Sequence, residues 1–153
     1  DDDDIYLPQK LKNQVEFMKE TNSDYSITDL ELFNESNVLV DKRTRNYIKV
    51  TNPENLLKYH FMYHITGTDT MMFKREYLDL IGGFDAIDVG DEFYLMKKAI
   101  ENGGKFGYLS CCDVKLMFIQ AKRDCQAVRA RLTVKINFSS LRKNILKKWT
   151  KKP

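Results

Sequence analysis

No run of about 18 apolar residues occurs in this chain, so no membrane-crossing helix is expected. The start, Asp1 to Asp4, is acidic where a secretory leader would be basic and then apolar, and no leader is expected. Cysteine is scarce: Cys111 and Cys112 are adjacent and Cys125 stands alone. Three residues make no disulfide framework, and without a C-x-x-C pair they make no zinc site. Idle thiols in a reducing cytoplasm are the expected reading. No internal repeat is evident, which excludes an array of stacked repeats. The last stretch, 116–153, lacks both Gly and Glu.

What is present suits one domain, or part of a larger one: 153 residues, 42% of them hydrophobic. The net charge of +3 hides a division. Residues 116–153 hold 11 Lys+Arg against one acid, Asp124, a net of +10. Residues 1–115 hold 14 Lys+Arg against 21 Asp+Glu, a net of −7. Such a break marks a basic arm, a second module or a damaged tail.

Pro8 fits the first turn of a helix, where its missing N–H costs nothing. Leu7, Leu11, Val15 and Met18 then recur at helical spacing, which predicts a helix over 8–20 packed by that stripe. Residues 24–33 are rich in strand formers, and 37–50 hold room for a second short strand. Asn52-Pro53 is a cap and first position, opening a helix to about His64. Thr68 to Phe73 reads as a short buried strand. Lys74 to Ile81 reads as a helix stopped by Gly82-Gly83, a pair suited to positive φ. Asp91 to Asn102 reads as a helix with Phe93, Met96 and Ile100 inward, and 105–114 as a strand. Helices alternating with strands argue for an α/β fold.

Two constellations carry chemistry. An Asp-x-Asp pair suits a hard divalent cation, because carboxylate oxygens match Mg²⁺ or Mn²⁺ and such ions bridge to substrate phosphates. Alone, the four Asp also describe a solvated acidic run. Asp91-Glu92 opens a helix, where two carboxylates are favoured by the helix dipole with or without catalysis. His60 and His64 lie at i and i+4, which suits either a metal pair without an evident third ligand or a partly buried helix face. Arg75 reads equally as a phosphate contact or an ordinary surface residue.

Three segments stand in a characteristic order: D-D-D-D-I-Y-L-P-Q-K-L-K-N-Q-V-E-F at 1–17, T-G-T-D-T-M-M-F-K-R-E-Y-L-D-L-I-G-G-F-D at 66–85, and G-D-E-F-Y-L-M-K-K-A-I-E-N-G at 90–103. Residues 1–115 thereby resemble the glycosyltransferase family 2 domain, of inverting GT-A type. The resemblance implies a partial GT-A fold, nucleotide-diphospho-sugar transferase-like, with a mixed sheet flanked by helices. It implies sugar transfer from a nucleotide-diphospho-sugar donor to a glycan or lipid-linked acceptor, with Mn²⁺ or Mg²⁺ as cofactor. Asp3 would contact the metal and Asp1 the metal or the donor ribose, with Asp4 supporting them. Alignment through Leu95 gives Glu92 as the base, with Asp91 the fallback. Gly67, Thr68 and Asp69, with Arg75 and Gly83, Phe84 and Asp85, would shape the donor and acceptor pockets. Bacterial surface polysaccharide or glycan synthesis follows, in the cytoplasm or at the inner face of its membrane. Peripheral membrane association stays open, and nucleic acid is not an expected partner.

The resemblance further implies that 1–115 is the C-terminal half of a domain, starting at its Asp-x-Asp motif and inactive alone. After Lys115 the family pattern breaks, where an aromatic-x-His and a Gly/Ser-rich loop are due. If one base is lost from an A-rich Lys115 codon, plausible codons for 116–152 read without a stop in the neighbouring frame. They then restore the His, the Gly/Ser loop and a Lys-rich amphipathic helix. A frameshifted tail over 116–153 is the expectation. The alternative is a genuine basic tail, making the chain a binding module for nucleic acid or an anionic membrane surface.

Overall fold

A computed structural model of the chain describes residues 4–87 and 90–118. Among the described residues it is a mixed α/β arrangement of two sheets and four helices. In order along the chain lie β1 (Ile5–Tyr6), α1 (Lys10–Thr21), β2 (Tyr25–Thr28), β3 (Leu30–Asn34) and β4 (Leu39–Arg43). Then follow α2 (Pro53–Tyr63), a short 3₁₀ turn (Thr68–Thr70), β5 (Met71–Phe73), α3 (Arg75–Leu80), α4 (Asp91–Glu101), β6 (Phe106–Leu109) and β7 (Val114–Phe118). One sheet runs β1-β7-β3-β4 and the other β5-β2-β6.

The two sheets are joined by two strands that cross from one to the other. The run expected as one strand over 24–33 breaks at Asp29 into β2 and β3, and the run over 105–114 breaks after Leu109 into β6 and β7. Each pair is parallel: Tyr25 faces Phe106 in one sheet, and Glu31 faces Lys115 in the other. The offset grows from 81 to 84 between those partners, so three extra residues are absorbed at the corner. Asp29 fastens the corner. Its carboxylate accepts from Tyr108 Oη at 2.8 Å, from Ser110 Oγ at 3.2 Å and from the Arg45 backbone N–H at 2.9 Å. Local pattern could not show this split, because it is set by pairing partners some 80 residues away.

The main core lies between the three-stranded sheet and the helices, around Tyr25, Ile27, Leu56, Leu95, Met96 and Ile100. A smaller cluster of Leu30, Leu32 and Val114 fills the other sheet, with Leu116 against it. Asn52 caps α2 as expected, accepting from Asn55 N at 2.9 Å. Gly82 and Gly83, at φ 79° and 59°, end α3 in the left-handed region where a Cβ is disfavoured.

The expected face of α1 holds at Met18 and fails at Leu11 and Val15. Leu11 is 57% exposed and Val15 37%, whereas Lys10, Gln14 and Met18 are buried. The helix covers the seam between the sheets, and the seam is polar. Gln14 Nε2 donates to Ser26 Oγ and to Thr70 O, both at 3.0 Å. Asn13 Nδ2 and Gln9 Nε2 donate to the two oxygens of Asp113 at 2.8 and 3.2 Å. Making these bonds outweighs burying two aliphatic side chains here, even though Gln14 Oε1 has no partner among the described residues. Thr68 to Phe73 is likewise part turn, part strand, since Thr70 bonds back to Gly67 O through both N and Oγ1.

The change of composition at 115/116 is not a break in structure. β7 runs through it, and Leu116 and Met117 pair with Leu32 and Phe33. Residues 119–153, with Cys125 and nearly all of the basic tail, lie outside the described residues. Among the described residues no helix is long and apolar enough to cross a membrane.

Candidate functional site

Among the described residues a cleft of about 800 Å³ opens where the four-stranded sheet meets the ends of α2 and α4. Its wall is built from segments far apart in sequence. Asp4 comes from just before β1, Gly67 to Asp69 from the turn ahead of β5, and Glu92 from the first turn of α4. Lys42, Arg43 and Arg45 come from β4 and the loop after it, and Tyr63 and His64 from the end of α2. Carboxylates and cations thus share one opening.

Glu92 is placed by the N-terminus of α4. Its neighbour Asp91 turns back to the helix, with Oδ1 accepting the Glu92 N–H at 2.9 Å. Asp91 therefore stabilises the helix start, and Glu92 faces the cleft. His64 ends α2 in a left-handed conformation, φ 51°, and its Nε2 lies 3.3 Å from Glu92 Oε1. The imidazole beside it holds the Glu92 carboxyl well below the usual carboxylate range, to about 2, against the opposing effect of partial burial. Glu92 is ionised at neutral pH and can accept a proton.

The two histidines do not act as a pair. His60 is fully buried, its Nε2 2.9 Å from Phe93 O and its ring stacked on Phe93 at 4.1 Å. Burial pushes it down to about 3, so it is a neutral core residue. The helix-face reading holds for His60, and His64 belongs to the cleft.

No family model matches the chain, and no curated protein matches it significantly.

The turn Gly67, Thr68 and Asp69 lies in the cleft as the resemblance implies, with Asp69 buried. Its carboxylate also acts on Lys10, whose amine burial pushes down and Asp69 pulls back up. Lys10 lies over the Tyr6 ring at 4.2 Å. The other expected pocket residues do not line the cleft. Arg75 is on the surface, paired with Asp79 at 3.0 Å. Gly83 O and Asp85 Oδ1 both accept from Lys98 Nζ, at 2.6 and 2.7 Å, and Phe84 is half exposed. The short α3 and the Lys98 contact turn this loop towards α4.

Asp1 and Asp3 lie outside the described residues. Asp4 sits ahead of a strand, β1, rather than at the end of one. As donors, the cleft's Asp4, Asp69 and Glu92 are hard carboxylate oxygens of the kind Mg²⁺ and Mn²⁺ prefer, so the residues fit such an ion in kind. Among the described residues no three His, Cys, Asp or Glu converge closely enough to hold one. Asp4 is the described residue that would contribute.

The sequence reading passed over Arg45, Tyr47 and Thr66, which line the cleft, and Gln14, which braces it from beneath. The basic run Lys42-Arg43-Thr44-Arg45 was the available signal, but periodicity gives such a run no direction. Cys111 and Cys112 are free and half-buried, and burial pushes the Cys111 thiol up to about 11, which fits idle thiols. The binding-module alternative rests on a tail that, beyond Phe118, falls outside the described residues.

Proposed function

We propose that this chain carries part of a family 2-like, inverting glycosyltransferase domain of GT-A type, acting on a nucleotide-diphospho-sugar. One observation carries the reading. Asp4, the Gly67 to Asp69 turn and Glu92, one from each of the three motif segments, line the same cleft.

In the reaction, an acceptor hydroxyl oxygen bonds to the anomeric carbon as the bond to the nucleoside diphosphate breaks. Glu92 takes the hydroxyl proton, and the anomeric centre inverts. When bound, Mn²⁺ or Mg²⁺ offsets charge on the departing diphosphate. In the resting cleft His64 makes Glu92 a weak base. A substrate that separates the two removes the largest cause of its low pKa and raises its basicity. The Gly67 to Asp69 turn shapes the floor on which the sugar lies. A glycan or lipid-linked acceptor, and a setting in bacterial surface polysaccharide synthesis, belong to the same proposal.

The test is nucleoside diphosphate release from a panel of nucleotide-sugars with Mn²⁺ and candidate acceptors. Glu92→Gln is expected to slow release by about 10²–10⁴-fold, the usual worth of a positioned base. Asp91→Asn is expected to leave most of the rate. Measurable release that is unchanged in Glu92→Gln would remove the reading.

A further inference from the structure

The cationic side of the cleft is not explained by a base and a metal. Arg45 is 5% exposed, and burying a guanidinium demands compensation. Its Nε donates to Ile65 O at 3.1 Å, and its Nη1 donates to Thr28 O at 3.1 Å and Arg43 O at 3.0 Å. Every one of these partners is a neutral carbonyl. Among the described residues no carboxylate lies within ion-pair distance of the guanidinium, and Asp29 nearby spends its oxygens on Tyr108, Ser110 and the Arg45 backbone. Among the described residues both hydrogens of Nη2 are left without a protein acceptor.

A second observation lies on the same wall. Thr66 is 8% exposed, lines the cleft, and its buried Oγ1 has no hydrogen-bond partner. An orphaned buried hydroxyl costs about 1–3 kcal/mol, so its persistence on the same cleft lining as a guanidinium without an ion-pair partner calls for a ligand. Lys42 and Arg43 add charge at the rim, through exposed pairs with Glu31 and Asp41 at 3.5 and 3.8 Å that exchange easily. Tyr47 and Tyr63, with ring centroids 4.7 Å apart, give the same cleft an aromatic surface suited to a sugar face.

We propose that Arg45 and Thr66 form an anion subsite that takes a phosphoryl group carried by the acceptor. The donor geometry selects the anion. A planar carboxylate pairs best with two N–H groups on one edge of a guanidinium. Here Nε and Nη1 are committed to carbonyls, so no such edge is free. A tetrahedral phosphoryl group accepts single bonds from several directions, which suits one Nη2, one hydroxyl and rim cations. The word "acceptor" rests on the transferase reading; the subsite itself does not.

The full chain is titrated with inorganic phosphate at constant ionic strength, following the Arg45 Nε–H and Thr66 amide signals by NMR. Saturable shifts are expected, with acetate binding much more weakly. Thr66→Val keeps the shape and removes only an unpartnered hydroxyl, so a purely structural role predicts no change in affinity. The subsite predicts about tenfold weaker phosphate binding, the loss of one charge-assisted hydrogen bond. Arg45→Lys is expected to abolish the shifts. No saturable shift, or an unchanged affinity in Thr66→Val, overturns the subsite. Acetate binding as tightly as phosphate overturns the phosphoryl choice. Displacement of phosphate by a nucleoside diphosphate overturns the assignment to the acceptor. Nucleoside diphosphate release unchanged in Glu92→Gln, with phosphate binding intact, would fault the transferase reading alone. Vesicles of phosphatidylcholine with and without phosphatidic acid separate the sources: Thr66-dependent vesicle binding assigns a lipid-borne phosphoryl group, and phosphate binding without it a soluble one. Vesicle binding that survives Thr66→Val belongs to the basic residues of 116–153.

Discussion

At the scale of single residues, His64 sets the behaviour of Glu92. Their 3.3 Å approach is the largest cause of the low Glu92 pKa. Replacing His64 by Ala removes that cause and leaves partial burial, which acts upwards. The Glu92 carboxyl is expected to titrate higher in His64→Ala than its wild-type value of about 2, read by carbon NMR of the side-chain carboxyl. The pair also contributes stability with a definite sign. A glutamate held low binds its proton less readily when folded, so the contribution is present above the ordinary value of 4.5 and is lost as pH falls towards about 2. An unmoved Glu92 titration in His64→Ala would remove His64 as the cause. Glu92 was expected as the base only through the resemblance, aligned at Leu95, and His64 was read only beside His60, as a metal pair or a helix face. The contact between them joins the end of α2 to the start of α4, and no local pattern encodes that junction.

At the scale of elements, the parts that read correctly are those whose cause is local. α4 buries Phe93, Met96 and Ile100 because a 3.6-residue period puts them on one face. α2 starts at Pro53 because Asn52 caps it, and Asn52→Ala is expected to cost about 1 kcal/mol, measured by urea unfolding. α1 misled because its buried face is polar. Gln14 is fully buried and supplies the bonds that a stripe of leucines could not. Gln14→Leu adds apolar volume yet strips Thr70 O and Ser26 Oγ of a donor. It is expected to destabilise by about 1–3 kcal/mol, the cost of orphaned buried groups. A hydropathy argument predicts the opposite sign, so a urea midpoint that rises in Gln14→Leu would restore the leucine stripe as the packing face. Since Thr70 ends the turn that begins at Gly67, the same substitution is also expected to loosen the cleft floor.

At the scale of the whole molecule, alternation of helices and strands was enough to give an α/β fold, but not two sheets with a shared corner. The corner depends on Asp29, Tyr108 and Arg45 meeting across the chain, and on three extra residues between β6 and β7. Global stability should carry the mark of one residue at its centre. His60 is buried between α2 and α4 and stays neutral, with its pKa pushed from 6.5 to about 3. The unfolded chain takes up a proton at His60 as pH falls below about 6.5, and the folded chain does not. Folding is therefore penalised progressively from pH 6.5 down towards 3, with a limiting slope of about 1.4 kcal/mol per pH unit for one proton. His60→Gln keeps a side chain able to reach Phe93 O but cannot take up that proton. Its stability, followed by urea unfolding across the same range, is expected to fall less steeply than that of the wild type. The gap between the curves should close as pH drops, because Glu92 and the other acids act equally on both. Parallel curves would mean that His60 is protonated in the folded chain, and that the junction of α2 and α4 is wetter than its packing implies.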